Sequence, residues 1–193
     1  MKHIMRNKML DKKEFEQIRK DMESFEEKRE EVIKTSRDII HISKQIIYSV
    51  QRHEVKEAEK FVEDIKFKVE SLPKTHFDTD IQYVAIQEFV EAMTFLGFVK
   101  NKKIPTRKEL NVDIESYLLG LCDLTGELVR QAVNYVINKK NTEALEIKKV
   151  VEEIYGEFLK FNLRGGNLRK KADAIKWNLK KLEDLALSIT LKD

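Results

Sequence analysis

The sequence predicts an all-α protein, and three observations carry that expectation. Its 193 residues include only 2 prolines and 6 glycines, so long stretches run without a residue that breaks a helix. Charged residues make up 37% of the chain and are mostly lysine and glutamate, which are good helix formers. Apolar residues recur at alternating spacings of three and four over much of the length, the period of one helix face. A chain of this size buries one sizeable core and no linker-like stretch divides it. Residues 1–193 are therefore expected to form one domain, with 1–12 as a flexible N-terminus.

The first helix is expected from about Asp11 to Gln51. Phe15, Ile18, Met22, Phe25, Arg29, Val32, Ser36, Ile39, Ser43, Ile46 and Val50 keep an unbroken 3-4 spacing there, as in a long packing helix. A second stripe, Val55, Ala58, Val62, Ile65, Val69 and Leu72, ends before Pro73. The third helix runs from about Phe77 to Val99 and stops in a lysine-rich segment before Pro105. Asp113 is a good N-cap for a fourth helix reaching about Ile137. The fifth spans about Thr142 to Phe161, burying Leu145, Val150, Val151, Ile154, Phe158 and Leu159. Gly165-Gly166 ends the connection after it. Asn167 then caps a last helix that buries Ile175, Leu179, Leu182, Leu185, Ala186 and Ile189. Several apolar faces are wider than one bundle needs, so subunit contacts are expected as well.

Composition also excludes. No apolar run approaches the ~20 residues of a membrane span, and there is no signal-peptide-like apolar block, so no membrane association and a cytoplasmic location are expected. The single cysteine, Cys122, suits a reducing compartment and reads as a small core hydrophobe. A net charge of +3 is too small to diagnose a polyanion partner, so any nucleic-acid argument depends on where the basic residues sit.

Two acidic pairs carry the chemistry: Glu88 and Glu91, then Asp123 and Glu127. Spacings of three and four put each pair on one helix face. The first pair interrupts an apolar column of Ile81, Val84 and Phe95, and buried like charges need compensation. A divalent cation held between two helices would neutralise both pairs. Di-iron bundles use Glu-x-x-His, but here Glu91 follows Glu88 and Arg130 follows Glu127 at that spacing. No glycine-rich phosphate loop, zinc spacing or Ser/His/Asp arrangement is evident. For nucleic acid, Arg37, His41, Lys44, Tyr48 and Arg52 form one column on the first helix, mixing phosphate donors with an aromatic ring. Arg29 lies within the heptad stripe. Arg130, one turn past Glu127, either clamps a phosphate or pairs with that glutamate.

These residues also carry a family likeness. The segments 30–39, Gln87-Glu88-Phe89-Val90-Glu91-Ala92 and above all 117–130 resemble the translin family, from about Glu27 to the C-terminus. Phe161-Asn162-Leu163-Arg164 and Asn167-Leu168-Arg169-Lys170-Lys171 add to it. The family has a catalytic branch, translin-associated factor X, which keeps its acids, and a branch, translin proper, which does not. Glu88, Glu91, Asp123 and Glu127 match the catalytic branch. The resemblance implies a translin-like bundle of six to seven helices in a closed homo-oligomeric shell, an octamer by family likeness. It also implies Mg2+- or Mn2+-dependent endoribonuclease activity on single-stranded or short RNA, with duplex RNA or single-stranded DNA as further partners. Whether one ion or two are held stays open. The expected function is that nuclease, with Arg29, Arg37, Lys44 and Arg130 as nucleic-acid ligands. The competing class is a non-catalytic single-stranded DNA or RNA binder like translin.

Overall fold

The computed structural model describes residues 10–73 and 77–191. Residues 1–9 of the expected N-terminal tail lie outside the described residues, as does His76. Asp11 caps the first helix and Lys12 opens it, where the spacing placed its start. The Asp11 carboxylate accepts the Lys13 backbone N–H at 2.9 Å.

The described residues form eight helical segments and no strand. They are α1 (Lys12–Gln51), α2 (Val55–Lys60), α3 (Val62–Ser71), α4 (Ile81–Asn101), α5 (Arg107–Leu110), α6 (Ile114–Ile137), α7 (Asn141–Phe158) and α8 (Gly166–Thr190). Where the sequence supplies a capping side chain, the boundary follows it. Asp113 accepts the Ser116 N–H at 2.9 Å and opens α6 as expected. The single turn α5 is held by a capping box in which Thr106 and Glu109 satisfy each other's backbone N–H.

Four expectations are corrected. The 55–72 stripe is two helices, with Phe61 between them. Helix α4 begins at Ile81, four residues later than expected. Asn167 lies inside α8, because Gly166 already opens that helix at φ +82°, a conformation that glycine adopts freely. Leu159 is 66% exposed, because α7 ends at Phe158 and the chain turns away.

One core joins the elements. Helix α1 packs on α4, α4 on α6, and α6 on both α7 and α8, while α2 and α3 fold back onto α1. Phe89, Phe95, Ile39, Ile46, Leu124 and Leu128 are among the fully buried side chains at its centre. The heptad stripe of α1 enters this core only from Val32 onward. Phe15 (44%), Ile18 (41%) and Met22 (63%) remain exposed, so the first three turns project beyond the bundle, and contact begins where Phe25 meets Phe77. At the far end of α4, a Cβ on Gly97 would lie 2.6 Å from Pro105 Cδ, so glycine lets the 102–106 connection fold back on that helix.

Candidate active site

The site lies on the α4/α6 seam. A Cβ added to Gly120 would stand 2.6 Å from Val90 Cβ and 2.9 Å from the Gln87 carbonyl oxygen, so α6 lies directly against α4 at that level. Gln87 and Val90 flank Glu88 and Glu91 in the chain, and Gly120 lies one turn before Asp123. The absent side chain therefore brings the two acidic pairs face to face. Spacing in the sequence gave no hint of this, since a helical glycine reads as a weak point rather than a contact.

Two adjoining hollows share Glu88 and Glu91 as a common ridge. One, about 330 Å³, is completed by Gln87, Asp123, Lys171 and Asn178. The other, about 350 Å³, is completed by Lys44, Tyr48, Glu127 and Arg130. Two larger hollows, about 680 Å³ each, lie near Phe25 and Pro73 and between α3 and α5, and none of the four acids lines either. The four acids converge on the smaller pair.

The two acidic pairs are treated differently. Asp123 Oδ2 receives Gln87 Nε2 at 2.5 Å and Lys171 Nζ at 2.6 Å. Glu127 Oε2 receives Gln51 Nε2 at 2.7 Å, while Gln51 Oε1 accepts Asn134 Nδ2 at 3.3 Å and so fixes the amide's orientation. By contrast, neither Glu88 nor Glu91 has a hydrogen bond or ion pair to its carboxylate among the described residues, and both are half-buried. Burial, then the negative charges of Asp123, Glu88 and Glu127, push the Glu91 carboxyl up to about 8, with Lys171 opposing. Burial also raises Glu88, against the pull of Lys44. Cys122, beside the site, is pushed up to about 12 by burial and then by Asp123, so its thiol stays protonated and takes the expected packing role.

The donor set fits a hard divalent cation: it is all oxygen, and two of its carboxylates lack a hydrogen-bond or ion-pair partner among the described residues. As the side chains stand, no group of three or more His, Cys, Asp or Glu among the described residues is arranged to hold a metal ion. Asp123 is held by Lys171 and Glu127 by Gln51.

The expected nucleic-acid ligands divide. Lys44 and Arg130 are exposed and line the second hollow, with Arg130 Nη1 3.9 Å from Glu127. Arg37 is exposed but lines neither hollow. Arg29 is committed elsewhere: its guanidinium donates to Asp78 at 2.5 Å and lies near Glu26 and Glu30, and these charges hold its pKa up. Tyr48 lines the hollow with the Arg52 guanidinium 5.5 Å over its ring. Lys171, Gln87 and Gln51 escaped the sequence reading. Gln87 and Lys171 left a trace there, inside motifs that carried the family likeness, and Gln51 left none beyond ending the first helix.

The fold and the seam define an α-helical bundle with a carboxylate cluster between two central helices. The translin family model matches residues 27–193, and the chain belongs to the translin family. It is 31% identical over 160 residues to an uncharacterized protein of Methanocaldococcus jannaschii, covering 79% of this chain and 72% of that one. Translin of Gallus gallus is 28% identical over 149 residues, 66% of this chain and 65% of its own length. Translin-associated protein X of Mus musculus is 22% identical, covering 92% and 78%. Among solved structures, apo-NeC3PO matches with a TM-score of 0.84 at 27% identity, covering 93% of this chain and 97% of that one. AfC3PO in complex with duplex RNA matches with a TM-score of 0.80 at 27% identity, again over 93% and 97%. No described helix is long and apolar enough to cross a membrane.

Proposed function

We propose that this chain is a cytoplasmic, Mg2+- or Mn2+-dependent endoribonuclease that cleaves single-stranded or short RNA at the α4/α6 seam, within a closed homo-octameric shell. The observation that carries the reading is the pair of half-buried glutamates, Glu88 and Glu91, unpartnered among the described residues and set against Asp123 and Glu127 across the Gly120 contact. Unpaired buried charge is costly, and a salt-bridge network would have paired it. The likeness to AfC3PO, whose structure holds duplex RNA, supports a nucleic-acid ligand. Exposed apolar side chains such as Phe67, Trp177 and the projecting stripe of α1 support assembly.

Glu88, Glu91, Asp123 and Glu127 would hold the ion. When bound, it would polarise the scissile phosphate and acidify a water molecule. The chain's own residues set the stage for this. Gln87 and Lys171 aim Asp123, Gln51 aims Glu127, and Asn134 locks Gln51. Lys44 and Arg130 on the rim meet the phosphates of the incoming strand, and Tyr48 offers a ring face for a base.

A second reading, a non-catalytic binder like translin, draws on the Lys171–Asp123 ion pair, which already neutralises one acid. Incubating labelled single-stranded RNA, single-stranded DNA and duplex RNA with Mg2+, Mn2+ or EDTA separates the two. The nuclease reading expects cleavage of single-stranded RNA with either metal and none in EDTA. Binding without cleavage under every condition overturns it.

A further inference from the structure

Lys171 reaches the acidic seam from α8, 48 residues beyond Asp123, and among the described residues is the one lysine or arginine that lines the hollow containing Asp123. Its side chain is 29% exposed and its Nζ lies 2.6 Å from Asp123 Oδ2. The same oxygen also receives Gln87 Nε2, from α4. Two nitrogen donors from two helices thus hold one carboxylate oxygen of Asp123. A carboxylate that bridges two metal ions gives one oxygen to each, and paired-metal sites depend on such close ion spacing. With Oδ2 engaged, Asp123 has only Oδ1 left to offer.

Resting on the nuclease reading above, we propose that Lys171 makes this a one-ion site. Its ammonium fills the second cation's place beside Asp123 and supplies positive charge to the scissile phosphate. Lys171 is thus a built-in counterion, and α8 is part of the reaction centre rather than only a wall of the bundle. A lysine suits this role, because its compact ammonium acts as a point charge and turns readily between a carboxylate and a phosphate. Asn178, two turns further along α8, lines the same hollow, and its amide donates to Thr125 Oγ1 on α6 at 2.9 Å. That bond anchors α8 to α6 and holds Lys171 at its post.

The test is Mn2+ binding to the intact protein by isothermal titration without RNA, alongside single-stranded RNA cleavage. The proteins compared are wild type, Lys171→Met, Lys171→Gln and Lys171→Arg. Wild type is expected to bind one Mn2+ per chain. Lys171→Met and Lys171→Gln are expected to bind two while kcat falls about a hundredfold, the loss of one positioned charge at a phosphate. Lys171→Arg should keep one ion and most of the activity. The inference is overturned if wild type binds two ions, or if both neutral variants bind one ion and cleave at the wild-type rate, and in either case the nuclease reading stands. A wild type that binds no Mn2+ and cleaves nothing overturns both together.

Discussion

The two helices of the seam contribute acids of the same chemistry in opposite circumstances. On α6, Asp123 and Glu127 are held by Lys171, Gln87 and Gln51, as a structural ion-pair network would hold them. On α4, Glu88 and Glu91 share both hollows yet have no partner among the described residues, and the Glu91 carboxyl is pushed up to about 8. The difference separates positioning from function. The α6 acids are aimed, whereas the α4 acids carry an electrostatic cost that Lys44 and Lys171 offset only in part. Such a cost is expected where a ligand supplies the missing charge.

The comparison breaks most readily at the contact that creates it. Gly120→Ala forces a methyl into Val90 and the Gln87 carbonyl, and is expected to cost about 3 kcal/mol, read as a lower urea midpoint. Gly126→Ala is the control on the same helix. Its nearest neighbour is Asn178 Nδ2 at 3.9 Å, so it should be neutral or stabilising by up to about 1 kcal/mol.

Acid substitutions sharpen the contrast through pH. The folded Glu91 carboxyl, at about 8, lies above its ordinary value of 4.5, so between those limits the folded state holds a proton that the unfolded state has lost. Stability in metal-free buffer is therefore expected to fall as pH rises from 5 to 8. Glu91→Gln should flatten that profile and raise Tm at pH 8 by roughly 4 °C or more, whereas Asp123→Asn, which gives up the Lys171 ion pair, should not raise Tm. A smaller effect belongs to Gln131, which is fully buried on α6 with neither side-chain polar atom bonded. Gln131→Met keeps the approximate shape and is expected to stabilise by about 1 kcal/mol in denaturant unfolding. Smallest is the rim. Lys44→Ala should flatten the slope of log K for RNA against log salt by about 0.7, and Arg29→Ala should leave it unchanged.

Much of this was legible in the sequence because it is local. The acids follow a helical period, Asp113 is a standard cap, and the stripe of Ile175, Leu179, Leu182 and Ile189 places the core-facing side of α8. What escaped depends on contacts between distant segments. Lys171 and Asp123 are 48 residues apart and Gln51 and Glu127 are 76 apart, so no spacing rule links them. Gly120 matters only because Val90 lies opposite it. The α1 stripe misled for a related reason: periodicity shows that one face is apolar, but the bundle covers it only from Val32 onward. Arg29 in that stripe found acidic neighbours at Asp78 and Glu26, which one-helix geometry reveals only in part.

Thermal unfolding of wild type and Glu91→Gln at pH 8, each with EDTA and with Mn2+, tests most directly whether the α4 acids await a cation. In EDTA the variant should be the more stable protein, because one uncompensated charge is gone. With Mn2+ the order should reverse, as wild type gains stability from a ligand that binds only the folded state and the variant gains little. If Mn2+ shifts both proteins equally, or neither, the unpartnered glutamates are not a metal site and the account fails.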